Sequence, residues 1–212
     1  MNVTRHPSDA ALAAFASGSL DEGRSLVLAT HLSFCPRCRK AVRAWEQVGG
    51  ALLDRVETAA LREGALERAL ARIGEVETPT SSTLGSASAS ALPIPLSEYA
   101  LGPWRWIGRG LRWRSVDVPA EPSSRVLLLD AAPGTRLYRH RHAGTEWVCV
   151  LEGAFRHNLG HYRRGDFDEA DDTVEHAPAA EDGVHCVCLI ALNGSFELRG
   201  WFGRLLQPFL RF

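Results

Sequence analysis

The chain has 212 residues, 45% of them hydrophobic and 23% charged, with a formal net charge of −1. That balance excludes a wholly disordered chain and a collagen-like one, and the length suits one medium domain or two small ones. Residues 1–76 carry ten Arg/Lys against nine Asp/Glu, and the remainder fourteen against sixteen, so neither part has the basic surplus of a protein held by phosphates.

No apolar run approaches the roughly 20 residues that span a bilayer. The start, MNVTRHPSDA, lacks the basic and apolar regions of a signal peptide. The expectation is a cytoplasmic protein that contacts neither membrane nor DNA directly. Five cysteines in such a compartment read as metal ligands, buried apolar residues or reactive thiols rather than disulfides.

In chain order, helix formers dominate first. Pro7 and Ser8 suit a helix start, with Leu12 and Phe15 as its apolar edge before Gly18. A second helix is expected from Asp21 to about Leu32. A third begins at Cys35-Pro36, with Val42, Trp45 and Val48 on one face; Gly49-Gly50 leave its continuation to Arg55 open. A fourth is expected from about Ala59 to Ile73, where Leu66, Leu70 and Ile73 share a stripe. That stripe either closes the domain's own small core or meets a partner in helix-in-groove fashion.

Residues 77–96 include TPTSSTLGSASASALPIP, uncharged and rich in Ser and Ala, which reads as a flexible tether. Beyond it come strand candidates separated by Gly and Pro: LRWRSVDV, RVLLLDA, TRLYRHR, EWVCVLEG, AFRHNLG and VHCVCLIAL. Short strands at this spacing predict an antiparallel sandwich or barrel over residues 97–195. Residues 196–212 form an apolar end, expected to be helical in part.

His31, Cys35 and Cys38 form H-x3-C-x2-C across the junction of the second and third helices. A C-x2-C at a helix start brings both sulfurs to one side, where the helix N-terminus favours thiolate. Two thiolates and one imidazole leave tetrahedral zinc one ligand short, and His6 is the nearest upstream candidate. Downstream, His140 and His142 are two apart on a predicted strand, Glu146 follows a bend through Gly144, and His176 comes from another strand. This mixed N/O set suits Zn²⁺, Fe²⁺, Mn²⁺ or Ni²⁺. The other downstream histidines, His157, His161 and His185, read as surface or packing residues.

Gly134, His140, His142, Glu146 and Gly153 keep the spacing G-x5-H-x-H-x3-E-x6-G, which matches the first sequence motif of the cupin barrel. The second motif is met only by Gly165 and His176; Asp171, Thr173 and Ala180 stand where Pro, Gly and Asn are usual. A zinc-type helical domain, a tether and a cupin-like barrel together resemble the ChrR family of zinc anti-sigma factors. The resemblance implies an N-terminal zinc-binding anti-sigma domain, residues 1–76, and a C-terminal cupin-like antiparallel β-barrel. It implies Zn²⁺ on His6, His31, Cys35 and Cys38, and a second ion on His140, His142, Glu146 and His176. It also implies a partner, an extracytoplasmic-function sigma factor bound one to one and kept from core RNA polymerase. The barrel would be needed for release by singlet oxygen or organic hydroperoxide. A metal-dependent cupin enzyme, a dioxygenase or isomerase with an accessory zinc domain, is the alternative.

Cys186 and Cys188, two apart on a predicted strand, face one side. They are either small buried residues or an oxidisable pair beside the barrel metal.

Overall fold

The computed structural model describes residues 3–74, 92–119, 124–194 and 196–198. The helices are α1 (Asp9–Ala16), α2 (Glu22–Phe34), α3 (Pro36–Leu53) and α4 (Ala65–Gly74). Three of the starts follow from capping chemistry. The Ser8 and Asp21 side chains accept from the backbone N–H of Ala11 and Arg24, and Pro36 occupies the first turn of α3 after Cys35. Gly49-Gly50 do not interrupt α3. The fourth helix starts later than the sequence suggests: Gly64, at φ +69°, is left-handed and cannot be part of a right-handed helix.

Twelve strands follow: β1 (Arg105–Gly108), β2 (Leu111–Val116), β3 (Ser124–Ala131), β4 (His140–His142), β5 (Thr145–Glu152), β6 (Ala154–His157), β7 (Gly160–Arg163), β8 (Phe167–Ala170), β9 (Glu175–His176), β10 (Ala179–Ala180), β11 (Cys186–Asn193) and β12 (Phe196–Leu198). They form a six-stranded sheet in the order β1-β2-β3-β11-β5-β8 and two three-stranded sheets, β10-β6-β7 and β12-β4-β9. Every strand pairing is antiparallel. The expected antiparallel β class is therefore present, with three separately hydrogen-bonded sheets in place of a continuous barrel wall. The predicted strand TRLYRHR contracts to β4 because the chain after Pro133-Gly134 makes only an isolated bridge, from Arg136 to Ala179. The apolar C-terminal segment begins as a strand at Phe196; the remainder of that segment lies outside the described residues.

The six-stranded sheet is apolar on both faces. Trp147, Cys149, Leu151, Leu189 and Ala191 lie in one cluster with Leu12, Val27, Leu28 and Val42 of the helices. Val148, Val150, Cys186, Cys188 and Ile190 lie in the other, with Phe155 and Tyr162. Strand alternation produces this split. Helix α2 packs on β3, β5 and β11. It lies so close that a Cβ on Gly23 would stand 2.4 Å from Ser124 Oγ. The two parts thus share a core. Of the expected tether, residues 77–91 lie outside the described residues, while Leu92 packs against that core and Leu96 is fully buried in it.

Gly153 has φ +67°, and a Cβ there would stand 2.3 Å from the His185 carbonyl oxygen. A side chain meets both the left-handed penalty and a backbone clash, so Gly153→Ala is expected to cost about 2 kcal/mol or more. A lower urea midpoint at unchanged slope is the measurement.

Candidate metal centres

Three chain segments meet at the first centre. His6 lies in the extended stretch before α1, His31 in the last turn of α2, and Cys35 is at once the C-cap of α2 and the N-cap of α3. The Cys35 sulfur accepts from the Cys38 backbone N–H at 3.4 Å, which turns both thiols to the same side. His6 Nδ1 lies 3.4 Å from each sulfur. All four potential ligand atoms lie within 4.8 Å of one another. Tetrahedral zinc with ordinary bond lengths would place them about 3.3–3.8 Å apart, so only a small contraction is required.

The tautomer of His31 fits the same role. Its Nδ1 donates to the carbonyl oxygen of Gly165 at 2.8 Å, which leaves Nε2 with a lone pair. That Nε2 is buried and has no hydrogen-bond partner. Without a cation this would be an uncompensated cost. Burial holds the His31 pKa down at about 4 and, with Cys35 beside it, pushes the Cys38 thiol up to about 12. A divalent cation reverses the second effect by taking thiolate ligands. Two thiolates and two neutral imidazoles around Zn²⁺ carry no net charge, so the cluster tolerates its burial.

The second centre is built across strands. His140 on β4 stands opposite His176 on β9, with the two Nε2 atoms 2.9 Å apart. Glu146, on the inner face of β5, places Oε2 3.4 Å from His176 Nε2. His140 Nδ1 donates to the Tyr138 carbonyl at 2.7 Å, so its Nε2 offers a lone pair to the cluster. All three residues are buried. His142 lies on β4 in register with Phe196, but its side chain is outside the described residues.

His157 packs against Phe155 and Tyr162, as a packing residue would, and also reaches the second centre. Its Nε2 lies 2.9 Å from Asp168 Oδ2, its ring is 5.1 Å from that of His176, and His157, Asp168 and His176 form an overlapping metal-capable group. The sequence marks neither His157 nor Asp168, because H-N-x-G and an acidic run carry no recognisable metal-ligand spacing. The only available signal was strand alternation.

Cys186 and Cys188 point into the inner core, with sulfurs 3.7 Å apart. Cys186 and burial push the Cys188 thiol well above its ordinary value. The Cys188 thiol is therefore a poor source of thiolate. Leu66, Leu70 and Ile73 are 64%, 59% and 71% exposed. Among the described residues, the α4 stripe closes no core of its own. It shares its exposure with Trp45, Val48, Leu52 and Leu53 of α3.

Residues 97–195 match the family described as the ChrR cupin-like domain. The chain is 36% identical over 217 residues to the anti-sigma-E factor ChrR of Cereibacter sphaeroides, covering 100% of both chains. It is also similar to the anti-sigma ChrR in the crystal structure of the Rhodobacter sphaeroides SigE complex, with a TM-score of 0.76, 36% identity, and coverage of 91% of this chain and 100% of that one.

Replacing Cys38 by Ser is expected to lower the bound zinc of the full chain by about one equivalent. It should reduce helical circular dichroism only in part, because α2 is held by the sheet as well as by the metal. Unchanged zinc content would remove Cys38 from the ligand set.

Proposed function

From its membership of the ChrR family of anti-sigma factors, to which this chain belongs, we propose that the protein sequesters an extracytoplasmic-function sigma factor from core RNA polymerase. It does so in the cytoplasm, as a one-to-one complex and without touching DNA. The observation that carries this reading is the exposure, among the described residues, of Trp45, Val48 and Leu52 on α3, the helix that carries Cys38, and of Leu66, Leu70 and Ile73 on α4. A patch of this kind marks an interaction surface. The occupant is a sigma factor because the similar ChrR chain was crystallised in complex with SigE. Membership of a family of regulators over the whole chain also removes the cupin-enzyme alternative.

Zn²⁺ on His6, His31, Cys35 and Cys38 orders the junction from which α3 projects its exposed end. The N/O set His140, His142, Glu146 and His176 holds the second ion, with zinc the reading the family favours. Among the described residues, no helix is long and apolar enough to cross a membrane. Release answers an oxidant, singlet oxygen or an organic hydroperoxide, through the barrel. The inward-facing pair Cys186 and Cys188, with sulfurs 3.7 Å apart, is the oxidisable candidate for that role.

The test is competition. The purified chain should displace core polymerase from the cognate sigma factor and elute with it at one to one. Uninhibited transcription in its presence would overturn the proposal. Leu66→Glu with Leu70→Glu should weaken that complex at least tenfold, about 1.4 kcal/mol, with the melting temperature unchanged because both side chains are exposed. Cys186→Ser with Cys188→Ser should keep inhibition and both metals but blunt release by oxidant in a transcription assay. A response equal to wild type would leave the two thiols as packing.

A further inference from the structure

His6 is the ligand least fixed by its own helical surroundings, since it precedes α1. Its position is set instead by the other half of the chain. On one side of it, the Asp166 carboxylate accepts from the Thr4 backbone N–H at 2.6 Å, the Arg5 N–H at 3.0 Å and the Thr4 hydroxyl at 3.2 Å. The Phe167 N–H donates to the Arg5 carbonyl at 3.2 Å. On the other side, the Ser8 N–H and hydroxyl donate to the Glu169 carboxylate at 3.1 and 3.3 Å. Asp166 is itself only 1% exposed and is anchored from within its own turn by the Arg163 N–H at 2.9 Å.

The same turn reaches His31. The carbonyl that orients its ring belongs to Gly165, and the Phe167 ring packs edge-on against it at 5.5 Å. The approach leaves no slack: a Cβ on Gly165 would stand 2.9 Å from Val3 Cγ2 and 3.0 Å from Phe34 Cβ. Strand alternation then gives β8 two audiences. Phe167 and Glu169 face the helices, while Asp168 faces the barrel group with His157 and His176.

We propose that the β7–β8 turn and strand β8 are the outer shell of the His6/His31/Cys35/Cys38 metal site, with Asp166 as its positioning residue, so that disturbance of the barrel group reaches that site through β8. The inference rests on the reading that those four residues hold the metal. Hydrogen bonds that fix ligand orientation are generally worth tenfold to a hundredfold in metal affinity. Here they come from residues about 130–160 positions away in sequence.

The experiment uses the full chain loaded with Co²⁺. A His/Cys site shows a thiolate-to-cobalt charge-transfer band, whereas the barrel groups contain no cysteine among the described residues. The band therefore counts the first site alone. Its decay on adding excess EDTA is followed. Asp166→Ala is expected to release cobalt about ten to a hundred times faster than wild type. Asp166→Asn, which keeps one acceptor oxygen, should fall between; it decides the matter if the alanine variant fails to fold. Asp172→Ala, an exposed carboxylate beyond β8, should match wild type. His176→Ala should speed release in the wild-type background and add nothing in the Asp166→Ala background. Wild-type decay in folded Asp166 variants, or equal acceleration by His176→Ala in both backgrounds, would overturn the proposal. Absence of the band from the wild-type protein would instead overturn the assignment of the metal ligands.

Discussion

The structure depends on covering the outer face of the six-stranded sheet. Trp147, Cys149, Leu151, Leu189 and Ala191 present an apolar surface, and α2 lies across it. Burial of that many side chains, each contributing about 1.5–3 kcal/mol relative to exposure, fixes the helix on the sheet. It also explains the sequence of α2. A helix with neighbours on several sides needs no polar stripe, and Gly23, Leu26, Val27, Leu28, Thr30 and His31 are all buried. The first metal site hangs from the C-terminal end of this helix, so the sheet and the metal site share one support.

Charge is handled with the same economy. The His6/His31/Cys35/Cys38 cluster becomes neutral on binding a divalent cation through two thiolates. Asp130 is paired with Arg112 and His185, and Asp168 with His157. Asp166 is compensated by backbone N–H donors rather than by a cation. That choice gives Asp166 directional bonds to specific chain positions, which a salt bridge to a long side chain would not. The interior therefore carries several acidic groups without losing the defined geometry on which ligand placement rests.

The exposed ends of α3 and α4 form the complementary half of the design. Val42 is buried, but further along the same helix Trp45, Val48 and Leu52 emerge into solvent. A helix whose apolar face continues past its own core is shaped for a second molecule. The anti-sigma role of the family matches a surface that is finished only in a complex.

Much of this was legible in the residues themselves. Ser8, Asp21 and Cys35-Pro36 announce three helix starts through local capping, and H-x3-C-x2-C brings His31, Cys35 and Cys38 to one place across a single helix junction. G-x5-H-x-H-x3-E-x6-G, through its resemblance to the cupin motif, singles out His140 and Glu146, which the strands bring together with His176. The stripe Leu66, Leu70 and Ile73 could be placed on one face of a helix, but its exposure could not be read there, since periodicity does not say what lies opposite. Likewise His157 and Asp168, and the grip of Gly165, Asp166 and Glu169 on the segment around His6, had no local signature. These contacts join positions more than a hundred residues apart or rest on which face of a strand turns inward. Only the closure of the sheets and the docking of α2 decide them, because hydrogen bonds and burial are set by distance in space and not along the chain.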